Sequence, residues 1–196
     1  GVNAGTTKAR IGDYAETNAS GTTLVHADSV ENVNSISVAG AGGGSAGVAG
    51  TIALNVVVSK TEAGIGDHAK VNQGFAGETV DVRATDRVIT VAATGAGAGG
   101  GAAGVGVTAN ATVALNTTTA YIGNGAEVDA TGDVKVAASS EKYVNSLTIA
   151  GAGGGAAGVA GAVGIISVGS LLDGEAKSGL SPKDDSGSTT TTQSQA

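Results

Sequence analysis

Three segments of this chain carry the G-x-G-x-x-G spacing that lets a backbone approach a pyrophosphate: Gly42–Gly47 (GGGSAG), Gly99–Gly104 (GGGAAG) and Gly153–Gly158 (GGGAAG). A dinucleotide site also needs a strand before the glycines, a helix after them and an acid about twenty residues further on, in one place rather than three. No cofactor is therefore expected. A second candidate is GNGAEVDATGD, Gly123–Asp133, whose Glu127, Asp129 and Asp133 have the acidic, glycine-rich look of a calcium loop. They lack the G-G-x-G-x-D spacing, so a solvated turn is expected and no metal site. His26 and His68 are the only two imidazoles. They occupy non-matching positions, and neither has a nucleophile or ligand at metal spacing, so strand or turn histidines are expected. Asn18, Asn110 and Asn116 fit the N-x-S/T glycosylation rule, which carries little weight in a chain this rich in Ser, Thr and Asn.

Enzymes built on stacked β coils bring carboxylates or bases together in one groove. Here the charges fall at alternating positions and in turns, and the most repeated residues are the least reactive. No catalytic residue is assigned, and a non-enzymatic role is expected. Leu147–Leu172 holds no charge and is long enough to cross a bilayer, with small residues that would allow helices to pack closely. Its near copy at Ser35–Ser59 runs into a polar alternating segment, so no membrane insertion is expected.

The elements that position these residues follow from repetition. The glycine blocks begin at Ala39, Ala96 and Ala150; a second marker begins at Ile11 (IGDYA), Ile65 (IGDHA) and Ile122 (IGNGA). Their spacings are 57 then 54, and 54 then 57. VNSISV from Val33 matches VNSLTI from Val144, and ALN occurs at Ala53–Asn55 and again at Ala114–Asn116. The chain reads as three copies of one unit, the third losing the pattern after Val168.

Within each unit the period is two. Val107, Ala109, Ala111, Val113 and Leu115 alternate with Thr108, Asn110, Thr112, Ala114 and Asn116, a strand with one apolar face. Val80, Val82 and Ala84 alternate with Asp81 and Arg83, and Val134, Val136 and Ala138 flank Lys135. Ile36 with Val38, Ile89 with Val91, and Leu147 with Ile149 are apolar pairs two apart. Turn signals stand at Asn18, Asn72 and Asp129.

The reading is all-β: a parallel β-helix, or β-solenoid, built from three repeats of about 54–57 residues. Three copies are too few to close a propeller. A unit of about 57 divides into three coils of about 19, which predicts about nine coils at ~4.8 Å and a rod on the order of 40 Å long. The glycine and alanine blocks then either fill a narrow interior or form a flat outer strip for lateral contact.

Composition agrees with a thin core. Of 196 residues, 35 are Gly, and there is no Cys, Met or Trp, one Phe and three Tyr. Aliphatic residues must replace the area that aromatic rings usually bury. The formal net charge of -7 disfavours nucleic acid. Absent Cys excludes disulfides and thiolate metal sites. The chain opens on Gly1 without a basic-then-apolar leader, which reads as a fragment or mature product. From Asp173 to Ala196 come the only Pro, mixed charge and a Ser/Thr run. Residues 1–172 are expected to be the repeat domain and residues 173–196 a disordered linker or tail.

The ordered succession from Ala96 to Ser139, a Gly/Ala block, a Leu-Asn strand, AYIG and then GDVKV, resembles the repeats of large bacterial filamentous adhesins and leukotoxin-like exoproteins. The resemblance covers roughly residues 1–170. It implies a Gram-negative origin, an extracellular or outer-surface location and a structural stalk, and the Gly/Ala strips, where they form a flat outer face, are expected to let copies self-associate. The implied partners are neighbouring copies or adjoining repeats, and host or surface glycans. The alternative is a carbohydrate- or ice-binding solenoid that uses threonines such as those after Asn116 and Ser20.

Overall fold

Val, Ile and Thr crowd the backbone at Cβ and favour extended chain, and Gly–Ala alternation leaves that extension uninterrupted. The consequence is unusually long strands. The computed structural model describes residues 1–74 and 78–169. Among these lie β1 (Val2–Ile11), β2 (Glu16–Thr17), β3 (Thr23–Gly43), β4 (Ala46–Ile65), β5 (Lys70–Val71), β6 (Val80–Gly100), β7 (Ala103–Ile122), β8 (Glu127–Val128), β9 (Val134–Gly154) and β10 (Ala157–Gly169). Three parallel sheets form, ordered β1-β4-β7-β10, β2-β5-β8 and β3-β6-β9. The fold is a parallel β-helix whose unit is the 54–57-residue repeat.

One unit makes one coil, not three. After β3 the chain reverses at Gly44 and Ser45, returns along β4 in the facing sheet, turns through Gly66–Ala69, crosses β5 and climbs onto β3 as β6. The expectation of nine coils of about 19 residues fails because a unit has too few turns for three circuits. The proportions change with it. The four-stranded sheet is about 14 Å across its stack, whereas β3 alone covers roughly 65 Å of extended chain. Register also explains the alternating spacings. Thr17 pairs with Val71 but Thr23 with Val80, so three extra residues lie between Val71 and Val80. The two ALN triplets, by contrast, are not equivalent: Ala53 pairs with Asn110, and Ala114 with Val57.

The IGD and IGN markers are the turn that closes each coil. Tyr14, His68 and Gly125 all take positive φ (58, 55 and 67°). Gly66 N donates to Ile11 O at 2.9 Å and Gly123 N to Ile65 O at 2.8 Å. Asp13 Oδ1 accepts from Asp67 N at 3.1 Å, and Asp67 Oδ1 from Asn124 N at 2.8 Å. Each acidic side chain thus ties its turn to the next coil. A loop asparagine does similar work: the buried Asn72 accepts from Ala19 N at 2.9 Å and donates to Asp129 O at 3.3 Å.

The two long sheets form a wedge. At the wide end Val25, Ala27, Ala63, Ile65, Val71, Val80 and Val82 pack into the main apolar cluster. At the thin end Ala39, Ala41, Ala49, Ala96 and Ala98 meet glycines of the facing strands. A methyl group on Gly47 would collide with the backbone oxygen of Gly99, and one on Gly104 with that of Gly153. The block therefore lines a narrow interior, while Gly97 and Gly99, on the other face of β6, have nothing within 4 Å.

Alternation does not always put the apolar face inside. Val80, Val82 and Ala84 point inward and are buried. In β7 the order is reversed: Thr108, Asn110, Thr112, Ala114 and Asn116 are buried, and Val107 on the other face is 51% exposed. Ile36, Val38, Leu147 and Ile149 likewise face outward. Val134 and Val136 share the inward phase of β9, at one end of the stack, and are exposed. The buried polar residues share this part of the interior with Val57, Val88 and Ala114, a small apolar cluster packed against Val33.

Gly104→Val is expected to cost about 1–3 kcal/mol or more through backbone collision, and Gly97→Ala to stay within about 0.5 kcal/mol. Urea melts of the two variants check this; equal midpoints would contradict the wedge.

Candidate functional site

Between the apolar cluster and the glycine tip lies a belt of inward polar side chains. β3 supplies Ser29 and Glu31, β6 supplies Asp86 and Thr90, and the opposite sheet supplies Asn55, Ser59, Thr61, Asn110 and Asn116. Asp86 is fully buried and accepts from Ser59 Oγ at 3.2 Å on both oxygens, and from Asn116 Nδ2. Ser29 Oγ donates to Glu31 Oε1 at 2.7 Å. A methyl group on Gly5 would stand 3.5 Å from that same oxygen, so β1 closes the belt from below. Burial pushes the Glu31 carboxyl above its ordinary range; the Ser29 hydroxyl pulls it down, and the adjacent Asp86 carboxyl raises it further. The pair sets two carboxyls close together in the interior, which favours the protonated form of Glu31.

The outer surfaces differ. Near the wide end, Glu62 accepts Lys8 at 3.2 Å and Lys60 at 3.5 Å, with Tyr121 Oη donating at 3.3 Å. Burial alone would raise Glu62, but Lys8, aided by Lys60, holds it below the usual carboxylate range. A shallow groove of about 380 Å³ lies beside it, lined by Ala4, Gly5, Thr6, Val58, Ser59, Lys60 and Thr117. On the other sheet Asp81 meets His26 and Arg83, each at 3.4 Å. These partly solvated pairs each contribute at most about 1 kcal/mol.

The residues weighed from sequence are scattered. The three glycine motifs sit stacked at the reversal between long strands, with no helix after them. Glu127 lies in β8 pairing with Lys70, Asp133 faces Lys135 at 3.3 Å, and Asp129 uses its carbonyl on Asn72. Among the described residues no three His, Cys, Asp or Glu side chains converge. His26 is on a strand and His68 in a turn, its ring stacked on Tyr14 with centroids 5.1 Å apart. Asn110 and Asn116 are interior, which removes them as glycan acceptors, while Asn18 is exposed. Residues 147–169 form the end of β9 and β10, and no described helix is long and apolar enough to cross a membrane. Leu172 and the segment 173–196 lie outside the described residues.

Comparison with family models, curated proteins and solved structures finds no match to this chain. The Glu31–Asp86 pair escaped the sequence reading, although its signal was present. Asp86 stands in phase with Val80, Val82 and Val88, and Glu31 with Val25 and Val33. A charge in the apolar phase of a strand marks a buried acid.

Because folding raises the Glu31 pKa, the folded chain holds that proton more tightly than the unfolded one. Its contribution is full below the unfolded carboxylate value and is lost as pH rises through the folded value. Urea midpoints taken from acid to neutral pH are expected to fall for the native sequence relative to Glu31→Gln. Parallel curves for the two proteins would refute the raised Glu31 carboxyl.

Proposed function

We propose that this chain is a non-catalytic structural segment, a length of stalk in a secreted or surface-displayed bacterial adhesin that associates with neighbouring copies. The observation that carries this reading is the unbroken register of β3, β6 and β9, where each residue from Thr23 to Gly43 lies on its counterpart in the next coil. What the chain repeats is turn and ladder rather than reactive side chains. The resemblance to filamentous exoproteins supplies the cellular setting, an outer surface. The carbohydrate- or ice-binding alternative draws less support, since its threonines build no ladder: Thr117 and Thr119 lie on Lys60 and Glu62, and Thr23 on Val80.

A scaffold grows by adding coils. A chain carrying extra copies of residues 23–79 joined in register is expected to lengthen by about 4.8 Å per copy along the stack, measured by electron microscopy, and to melt at higher temperature. Antibodies to the chain should label intact cells of the source bacterium. A specific hit on a glycan array, faceted ice, or shortened products from anionic polysaccharides would overturn the scaffold in favour of recognition or catalysis.

A further inference from the structure

The sheet β1-β4-β7-β10 has its polarity inside out. Its inner face carries Asn55, Thr108, Asn110 and Thr112, all buried, while its outer face offers Val48, Ile52 and Leu54 to water at 72, 84 and 54% exposure. Val107, Val163 and Ile165 on the next strands are more than half exposed as well. No charged residue interrupts Val48–Val58, Val105–Leu115 or Val159–Ile165. An amphipathic sheet ordinarily turns its apolar side to a packed layer. Because β1 begins only opposite Val56, three strands carry most of these rows, and the surface measures roughly 35 by 14 Å, or about 500 Å². That lies at the upper end of the apolar patches monomers expose, and two such faces together reach the ~1,000 Å² that a specific interface needs.

We propose that this aliphatic face packs against the same face of a second copy, two flat sheets meeting about 10 Å apart. The inference deepens the scaffold reading and rests on it in taking the partner to be another copy of this chain. It moves lateral contact from the glycine strip to the valine-rich face. A flat, uncharged surface of Val, Ile, Leu and Ala is complementary to itself without any pairing of charges, which suits a twofold contact. The net charge of -7 makes two copies repel. Here the charged residues Lys8, Lys60 and Glu62 lie beyond the aliphatic rows, at the wide end. The outward glycines Gly97 and Gly99 bring only hydrogens and little apolar area.

Sedimentation velocity of the full chain over roughly 1–100 µM, the range of moderate affinities, is expected to show a dimer. Ile52→Lys, whose side chain already stands in solvent, should keep its circular dichroism and weaken the dimer at least about tenfold; Gly97→Ser should leave it unchanged. A native chain that stays monomeric overturns the proposal, and flotation of that monomer with phosphatidylcholine vesicles would assign the face to lipid. A dimer broken by Gly97→Ser but not by Ile52→Lys also overturns it, returning the contact to the glycine strip. Should Ile52→Lys fail to fold, single thiols in this Cys-free chain decide. Ala109→Cys should react with a maleimide more slowly at high protein concentration than at low, and Gly97→Cys equally at both. Equal rates at Ala109→Cys refute the interface. A glycan hit in the earlier assays would unseat the scaffold reading without touching the dimer, and a monomer would do the reverse.

Discussion

Parallel pairing at a fixed offset places every residue directly on its own counterpart, about 4.8 Å away. That constraint governs what each repeat can contain. Like charges stacked at that distance repel, and the copies differ where this would occur. Lys8 lies on Glu62, Arg87 on Glu141 and Asp81 on Lys135, while Lys70 stands between Glu16 and Glu127. Asp13 on Asp67 is the exception, and there each carboxylate accepts a backbone N–H from the next coil. Divergence at charged positions is thus as much a requirement of the ladder as identity at the glycines.

The wedge follows from the same stacking. Two sheets joined by a two-residue reversal cannot stand a full side-chain layer apart near that reversal, so the inner residues there shrink to Ala against Gly. Farther from it the interior admits Thr, Asn and Ser together with Val57 and Val88, and at the wide end Val and Ile. Along the inward phase of β6 the residues nearest the reversal, Ala98 and Ala96, are alanines, and valine appears only from Val88 onward. Glycine at Gly47 and Gly104 is demanded by an oxygen atom on the facing sheet, not by backbone freedom.

Much of this was legible in sequence because parallel stacking converts structure into periodicity. The repeat length and the strand phase could be read directly; IGD and IGN showed themselves as repeats but not as the turns they form. Coil number could not, since a run of Gly and Ala looks like a corner and proves to be continuous strand with one reversal inside it. Facing was legible only in part. Alternation reports two faces but not which is inside, and the usual assumption, apolar inward, holds for Val80 and Val82 and fails for Val107 and Leu115. Only the facing sheet decides, and a spacing across the sandwich leaves no local mark. The same assumption concealed Glu31 and Asp86, two charges in the phase of a buried valine.

The inverted sheet changes where stability comes from. Buried hydroxyls such as those of Thr90, Thr108 and Thr112 carry a desolvation cost when unpaired, so the polar belt contributes specificity of register more than net stability. The aliphatic groups that would ordinarily drive burial are largely outside it. What remains within one chain is the backbone ladder, the apolar cluster around Ile65 and Val71, and the smaller one of Val57, Val88 and Ala114. Any layer that covers the outer valines therefore adds a hydrophobic contribution that the isolated coil lacks, and it binds the folded state alone, because only the folded strand gathers those side chains on one side. Folding and association are then linked by mass action: the repeat becomes more stable as its surface is occupied.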